Sequence, residues 1–174
     1  PVVAGFARQW VAPAPGTTAW ATENRIFQQW VELTEEGRLA IMQRIRLEQR
    51  WRDQIVNDQV VGEKQFSLRL RYLATIQINV FQNKSLPALV VSDEVLVQFG
   101  QSVVYNTFDQ NRLFLGVHMN LGKNVDVDTG YMNVFQQRAA GDVYDVSHIF
   151  RVFLYLHLDL AGVGKDRRLH ENTE

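Results

Sequence analysis

Residues 38–53, RLAIMQRIRLEQRWRD, constrain the fold more than any other stretch of this chain. On a helix, Leu39, Ile41, Ile45, Leu47 and Trp51 scatter around the wheel and leave no apolar stripe for a core to use. On a strand they share one face. Odd positions 39 to 51 read Leu, Ile, Gln, Ile, Leu, Gln, Trp, and even positions 44 to 52 read Arg, Arg, Glu, Arg, Arg. That period of two predicts a long strand with one apolar and one ionic face. The open question is which face looks inward.

The rhythm recurs. In residues 66–79, Phe66, Leu68, Leu70, Tyr72, Ala74, Ile76 and Ile78 alternate with Ser67, Arg69, Arg71, Thr75, Gln77 and Asn79. In residues 111–121, Leu113, Leu115, Val117, Met119 and Leu121 alternate with Arg112, Gly116, His118 and Asn120. In residues 148–159, Phe150, Val152, Leu154, Leu156 and Leu158 alternate with Arg151, Tyr155, His157 and Asp159. Two weaker segments, 93–99 and 125–137, follow the same alternation, Val95, Val97 and Phe99 opposing Glu94 and Gln98 in the first. In 20–33, Ile26 and Trp30 fall out of phase with Phe27, Val31 and Leu33, and a bulge would reconcile them.

The intervening connections take turns: short TEEG (34–37), long DQIVNDQVVGE, moderate QNKSLP, long GQSVVYNTFD, short GKN (122–124) and long RAAGDVYDV. Such alternation is expected of an up-and-down meander with one tight end and one end carrying loops. Extended backwards, it makes Val2 to Val11 a first strand and places both termini at the tight end. The expectation is all-β: one antiparallel, up-and-down barrel of about eight strands over 1–160, closed so that no edge is exposed, with a polar tail over 161–174.

Composition narrows the function. The formal net charge of −1 gives no global attraction to nucleic acid, and none is expected as a partner. Without cysteine there is no disulfide and no thiolate chemistry. The chain has no apolar run of the roughly 18 residues a membrane helix needs, which leaves a membrane β-barrel open, since its strands are only half apolar. The opening PVVAGFARQWVAPAPG has neither the basic start and apolar run of an export signal nor a Met, and reads as a processed chain.

A soluble lipocalin-like barrel would turn the apolar face inward around an apolar ligand; an outer-membrane barrel would turn it to lipid. Three features favour lipid. The strands use arginine, whereas Lys64, Lys84, Lys123 and Lys165 sit at strand ends, in turns or in the tail; a crowded interior favours the planar, multidentate guanidinium. The main strands run about a dozen residues, beyond the ~5–6 usual in soluble sheets and enough for a tilted span. Trp51, Phe66, Tyr72, Tyr131, Phe135 and Phe150 lie on or near the apolar faces, several toward strand ends, as aromatic girdles do. Arg44, Arg46, Arg50, Arg52, Arg69, Arg71, Arg112 and Arg151 are then expected to form an internal ionic network with Glu48, Glu94 and Asp159.

ENR (23–25), RIRLEQRWR (44–52), RLRY (69–72), DE (93–94), QNRLFLG (110–116) and GY (130–131), in that order and spacing, resemble a family of bacterial outer-membrane β-barrels of unknown function common in Bacteroidetes. The resemblance spans roughly 20–159. It implies the outer membrane of a Gram-negative bacterium and brings no catalytic residue with it.

The residues give little support to an enzyme. Outer-membrane lipid A deacylases carry His and Ser on the lipid-facing surface, but Ser147 and His148 are adjacent, so a strand points them to opposite faces, and no G-x-S-x-G is present. His118 and His157 could join Glu94 or Asp159 as a metal or acid–base site, yet single histidines on separate strands read better as hydrogen-bonded members of the polar core. No enzyme activity, metal or cofactor is expected. The arginines could instead select anions in a narrow pore, although Glu48 in their midst favours a satisfied ion-pair plug. The loops NDQVVGEK, QSVVYNTFDQ and RAAGDVYDV, with Tyr105, Phe108 and Tyr144, are the expected partner contacts. The function expected is a structural or accessory barrel in contact with outer-membrane lipid and a larger outer-membrane complex.

Overall fold

In the computed structural model, which describes residues 1–13, 16–83, 86–122 and 124–157, every regular element is a strand. They are β1 (Val2–Val11), β2 (Ala21–Glu36), β3 (Leu39–Val56), β4 (Gln59–Ile78), β5 (Ala88–Phe99), β6 (Phe108–Asn120), β7 (Val125–Gln137) and β8 (Tyr144–Leu156). Each pairs antiparallel with the next, so spatial order is chain order, and the sheet curls into a half-barrel. The period-two reading of residues 38–53, 66–79 and 111–121 and the inferred first strand all correspond to ladder strands.

Closure is the main departure from expectation. Among the described residues β1 pairs only with β2 and β8 only with β7, which leaves two sheet edges. Alternation reports which face a side chain takes and is blind to how far a sheet curls, so an open and a closed meander have the same sequence rhythm. Asp159 and the tail over 161–174 lie outside the described residues.

The connections also differ. The stretch read as a long polar loop, DQIVNDQVVGE, is the continuation of β3 and β4 to a two-residue turn at Asn57 and Asp58, both left-handed (φ 51° and 58°). Asn and Asp tolerate that conformation, and a turn of this hand matches the twist of the strands it joins. The register shifts between Asp53 and Gln54, whose partners jump from Lys64 to Val61. The stretch read as moderate lies in a nine-residue connection, 79–87.

The bulge expected in 20–33 is absent: β2 pairs with β1 and β3 without a shift. Phe27 turns to the concave face and Ile26 and Trp30 to the outer face. The room for an inward phenylalanine comes from Gly5 on β1, whose register partner is Phe27; a Cβ there would sit 2.4 Å from the ring. The two apolar phases of this strand therefore serve its two sides, with glycine as the counterpart of the inward ring.

The packing is inverted relative to a water-soluble domain. Fully buried among the described residues are six apolar side chains (Ala21, Ala88, Val90, Leu96, Phe114, Val127) and eight polar or charged ones (Glu23, Glu48, Arg69, Ser92, Glu94, Gln98, Asp109, Gln110). The large apolar residues of the alternating faces, such as Ile45, Leu70, Leu115 and Val152, stand exposed on the convex side.

Candidate functional site

The concave face carries an ionic ladder built by register. Glu48 on β3 stands directly opposite Arg69 on β4 and Phe27 on β2. Arg69 donates to Glu48 Oε2 from Nε (2.9 Å) and Nη2 (2.6 Å), and Arg71 Nη1 donates to Oε1 (2.9 Å). Arg25 and Arg46 complete the shell at 4.0 and 3.8 Å. One buried carboxylate thus faces four guanidinium groups.

Two further carboxylates extend the ladder sideways. Glu23 on β2 accepts Arg50 Nε and Nη2 at 2.9 and 3.0 Å, and also Arg25. Glu94 on β5 accepts Arg44 Nη2 at 2.7 Å and Arg71 from Nε (3.0 Å) and Nη2 (2.7 Å), and lies 3.6 Å from Arg112. Arg71 bridges Glu48 and Glu94, while Arg69 reaches Asp109 on β6 at 3.1 Å. The network therefore links β2 through β6. Its arrangement solves a local problem, because Arg25 faces Arg50 and Arg46 faces Arg71 directly across strands. Such like-charge pairs repel unless carboxylates are interposed, and Glu23, Glu48 and Glu94 are interposed here. Charged hydrogen bonds at both ends are what make burial of these groups tolerable.

Arg44, Arg46, Glu48, Arg50, Arg69, Arg71, Glu94 and Arg112 are brought together. Arg52 is not: it lies past the ladder, exposed, beside the Asp53 end of β3. Arg151 faces the same concave surface but makes no ion pair among the described residues; its guanidinium lies over the rings of Phe114 (5.0 Å) and Phe153 (4.7 Å).

Sequence reasoning missed Glu23, Arg25 and Asp109. Glu23 and Arg25 share the odd phase of Phe27, a signal masked by Ile26 and Trp30. Asp109 is turned inward by a bulge, since Leu96 pairs Gln110 while Val97 pairs Phe108, leaving Asp109 as the extra residue. No periodicity announces such an insertion.

Toward the end of the barrel wall at turn 37–38 and connection 121–124, carboxylates meet histidine and tyrosine. Asp128 pairs with His118 Nδ1 (2.7 Å) and accepts Tyr155 Oη (2.9 Å); Asp126 pairs with His157 Nε2 (2.7 Å). His118 and His157 thus belong to separate pairs, neither with Glu94. Ser147 and His148 take opposite faces of β8, and His148 Nδ1 meets Tyr131 Oη on the outer side (2.5 Å).

At the opposite end, the residues expected in partner loops are placed differently. Phe108 and Tyr144 are the first residues of β6 and β8, and both pack on Phe135, the Tyr144 ring stacked at 4.8 Å and 11°. With Trp51 on Phe66 (5.3 Å) they form an outer aromatic row. Tyr105 alone lies in a connection, highly exposed and against Gly141 of the 138–143 connection. Beyond the row, the β3–β4 hairpin projects with polar contacts: Lys64 lies 2.5 Å from Asp53, and this ammonium, with the Thr22 hydroxyl and amide, holds the Asp53 carboxyl well below the usual range.

The profile of a family described as a protein of unknown function (DUF2490) matches residues 2–145. The chain belongs to that family. In this DUF2490 member the matched region takes in the whole Arg/Glu ladder, from Glu23 to Arg112, and stops before Arg151. No curated protein and no solved structure matches the chain.

Proposed function

We propose that this DUF2490 protein is a non-enzymatic β-barrel of the bacterial outer membrane, a structural or accessory element whose lumen is occupied by ion pairs. The observation that carries the reading is the inversion of the sheet: carboxylates and guanidiniums are buried on the concave side, while the large apolar side chains stand out on the convex side, Phe6, Trp10 and Phe150 exposed by 66, 67 and 77 %, around polar pairs such as Gln28–Gln49 and Asp93–Asn111. Water disfavours so large an apolar surface, while lipid is its natural solvent. The outer aromatic row, with the polar Asp53–Lys64 tip beyond it, fits an interface between hydrocarbon and water. The interior chemistry supports a filling role, since Glu23, Glu48 and Glu94 are each held by two or more arginines. Every backbone edge within hydrocarbon must be paired, so the reading requires β1 and β8 to be joined, to each other or to further strands, once in the bilayer. A larger outer-membrane assembly is the natural partner for an element of this kind.

The test is a heat-modifiability gel of detergent-refolded protein, run beside a planar-bilayer recording. The expected outcome is a band that shifts on boiling and no steady conductance. A chain that stays monodisperse without detergent overturns the membrane location, and steady anion-selective steps overturn the filled interior.

A further inference from the structure

The ladder does not fill the concave face evenly. Beside Glu94 lies a cavity of about 500 Å³, and four guanidinium groups, Arg44, Arg71, Arg112 and Arg151, line it against two carboxylates, Glu94 and Asp128. Both carboxylates are already engaged. Glu94 is shared among three of the arginines, and the two oxygens of Asp128 are taken by His118 and Tyr155. Two positive charges are thus left uncompensated by the cavity wall. Arg44 Nε is buried with no hydrogen-bond partner, and Arg151 has no ion pair among the described residues. A guanidinium removed from water without a counter-ion is costly, so this surplus is a place for an anion. The rest of the wall mixes apolar and aromatic side chains with a few hydroxyls: Phe114 and Phe153 flank Arg151, Met42, Leu73, Val90 and Met132 add apolar surface, and Thr75, Ser92 and Tyr155 add hydroxyls.

The geometry points to a binding site for a small organic dianion, a phosphate monoester with an apolar or aromatic body, its phosphate between Arg44, Arg112 and Arg151 and its body against Phe114 and Phe153. Planar guanidiniums pair with phosphate oxygens in a bidentate manner, and a charge of about two, which a phosphate monoester carries near neutral pH, matches the surplus. The anion leaves most of the ladder untouched, because Glu23, Glu48, Arg25, Arg46, Arg50 and Arg69 lie outside this cavity and only Arg71 bridges Glu48 to its wall. The inference goes beyond the proposed membrane role and holds for the folded sheet in either solvent.

The test is calorimetric titration of the folded chain, in detergent or in buffer according to the form it takes, with phenyl phosphate as probe and inorganic phosphate and benzylamine beside it. The expected result is saturable binding of phenyl phosphate, at least tenfold weaker inorganic phosphate and no benzylamine binding. Arg151→Gln and Arg112→Gln should each weaken phenyl phosphate at least tenfold while leaving the folded gel band and β-sheet circular dichroism unchanged. Because Arg151 holds no ion pair among the described residues, its loss leaves the ladder standing. Absence of phenyl phosphate binding to folded wild-type chain overturns the site, as does an Arg151→Gln variant that binds like wild type. Inorganic phosphate binding as tightly as the aryl ester overturns the aromatic part of the assignment.

Discussion

The two halves of the concave face use the same residue type to opposite effect. Across β2–β5 each arginine of the ladder meets a carboxylate, and Glu23, Glu48 and Glu94 are interposed between guanidiniums that register would otherwise set against each other. Across β6–β8 the strands bring Gly116 opposite Gly130, two phenylalanine rings and Arg151, which makes no ion pair among the described residues. Charge compensation fills space on one side. On the other, small residues and rings leave it open.

If that contrast is right, a lost carboxylate in the filled half is the largest perturbation. Glu48→Ala leaves the buried Arg69 without its main partner and Arg71 without one of its two, and should destabilise by about 3–5 kcal/mol, read by urea unfolding of the refolded protein. A loss below about 1 kcal/mol, the range of solvated pairs, would mean that water reaches the ladder and that the two halves are alike. In the open half the sensitive position is steric. A Cβ on Gly116 would lie 2.4 Å from the Thr129 carbonyl and 2.5 Å from the Phe114 ring. Gly116→Ala should therefore cost about 1–3 kcal/mol through overpacking, against a change within about 1 kcal/mol for Arg151→Gln, which gives up only contacts with rings. An Arg151→Gln loss as large as that of Glu48→Ala would reveal a compensating charge and erase the contrast.

The filled half was the more legible in the sequence, and the reason is periodicity. Arg44 to Arg50 and Arg69 to Arg71 are ionic members of uninterrupted alternations, and such a pattern states the face of every residue in it. Glu23 and Arg25 were hidden because β2 carries apolar residues in both phases, an ambiguity resolved only by Gly5 on the neighbouring strand. Asp109 was hidden by the bulge that turns it inward. The open curl of the sheet was not legible at all, for it depends on strand tilt and stagger, which side-chain alternation does not encode. The Arg151 environment falls between these cases: its face followed from the rhythm of β8, but its having no ion pair among the described residues depends on what the other strands bring near it.

The smallest effect concerns the tip, where sequence reading and structure differ most in kind. Residues read as a loop form a hairpin turn, and Asp58 in that turn reaches back to residues preceding β2. It accepts the Thr18 and Ala19 amides, each at 2.8 Å, and the Thr18 hydroxyl at 2.7 Å. These bonds stabilise the carboxylate, the Ala19 amide most, and hold Asp58 below the usual carboxylate range. A group whose folded pKa is depressed contributes stability above its unfolded value, near 3.9, and loses it as pH falls through the folded one. The clip between the hairpin and the 12–20 connection should accordingly be complete at neutral pH and released only in acid below about 4. Amide hydrogen exchange measured across that range reads it directly: Thr18 and Ala19 should be protected at pH 7 in wild type and unprotected in Asp58→Ala. The Asp53–Lys64 pair across the same hairpin serves as the internal control, since it involves neither amide. Equal exchange in wild type and variant at neutral pH would show that the tip is held by the turn conformation of Asn57 and Asp58 alone, and that the long hairpin projects without a tether.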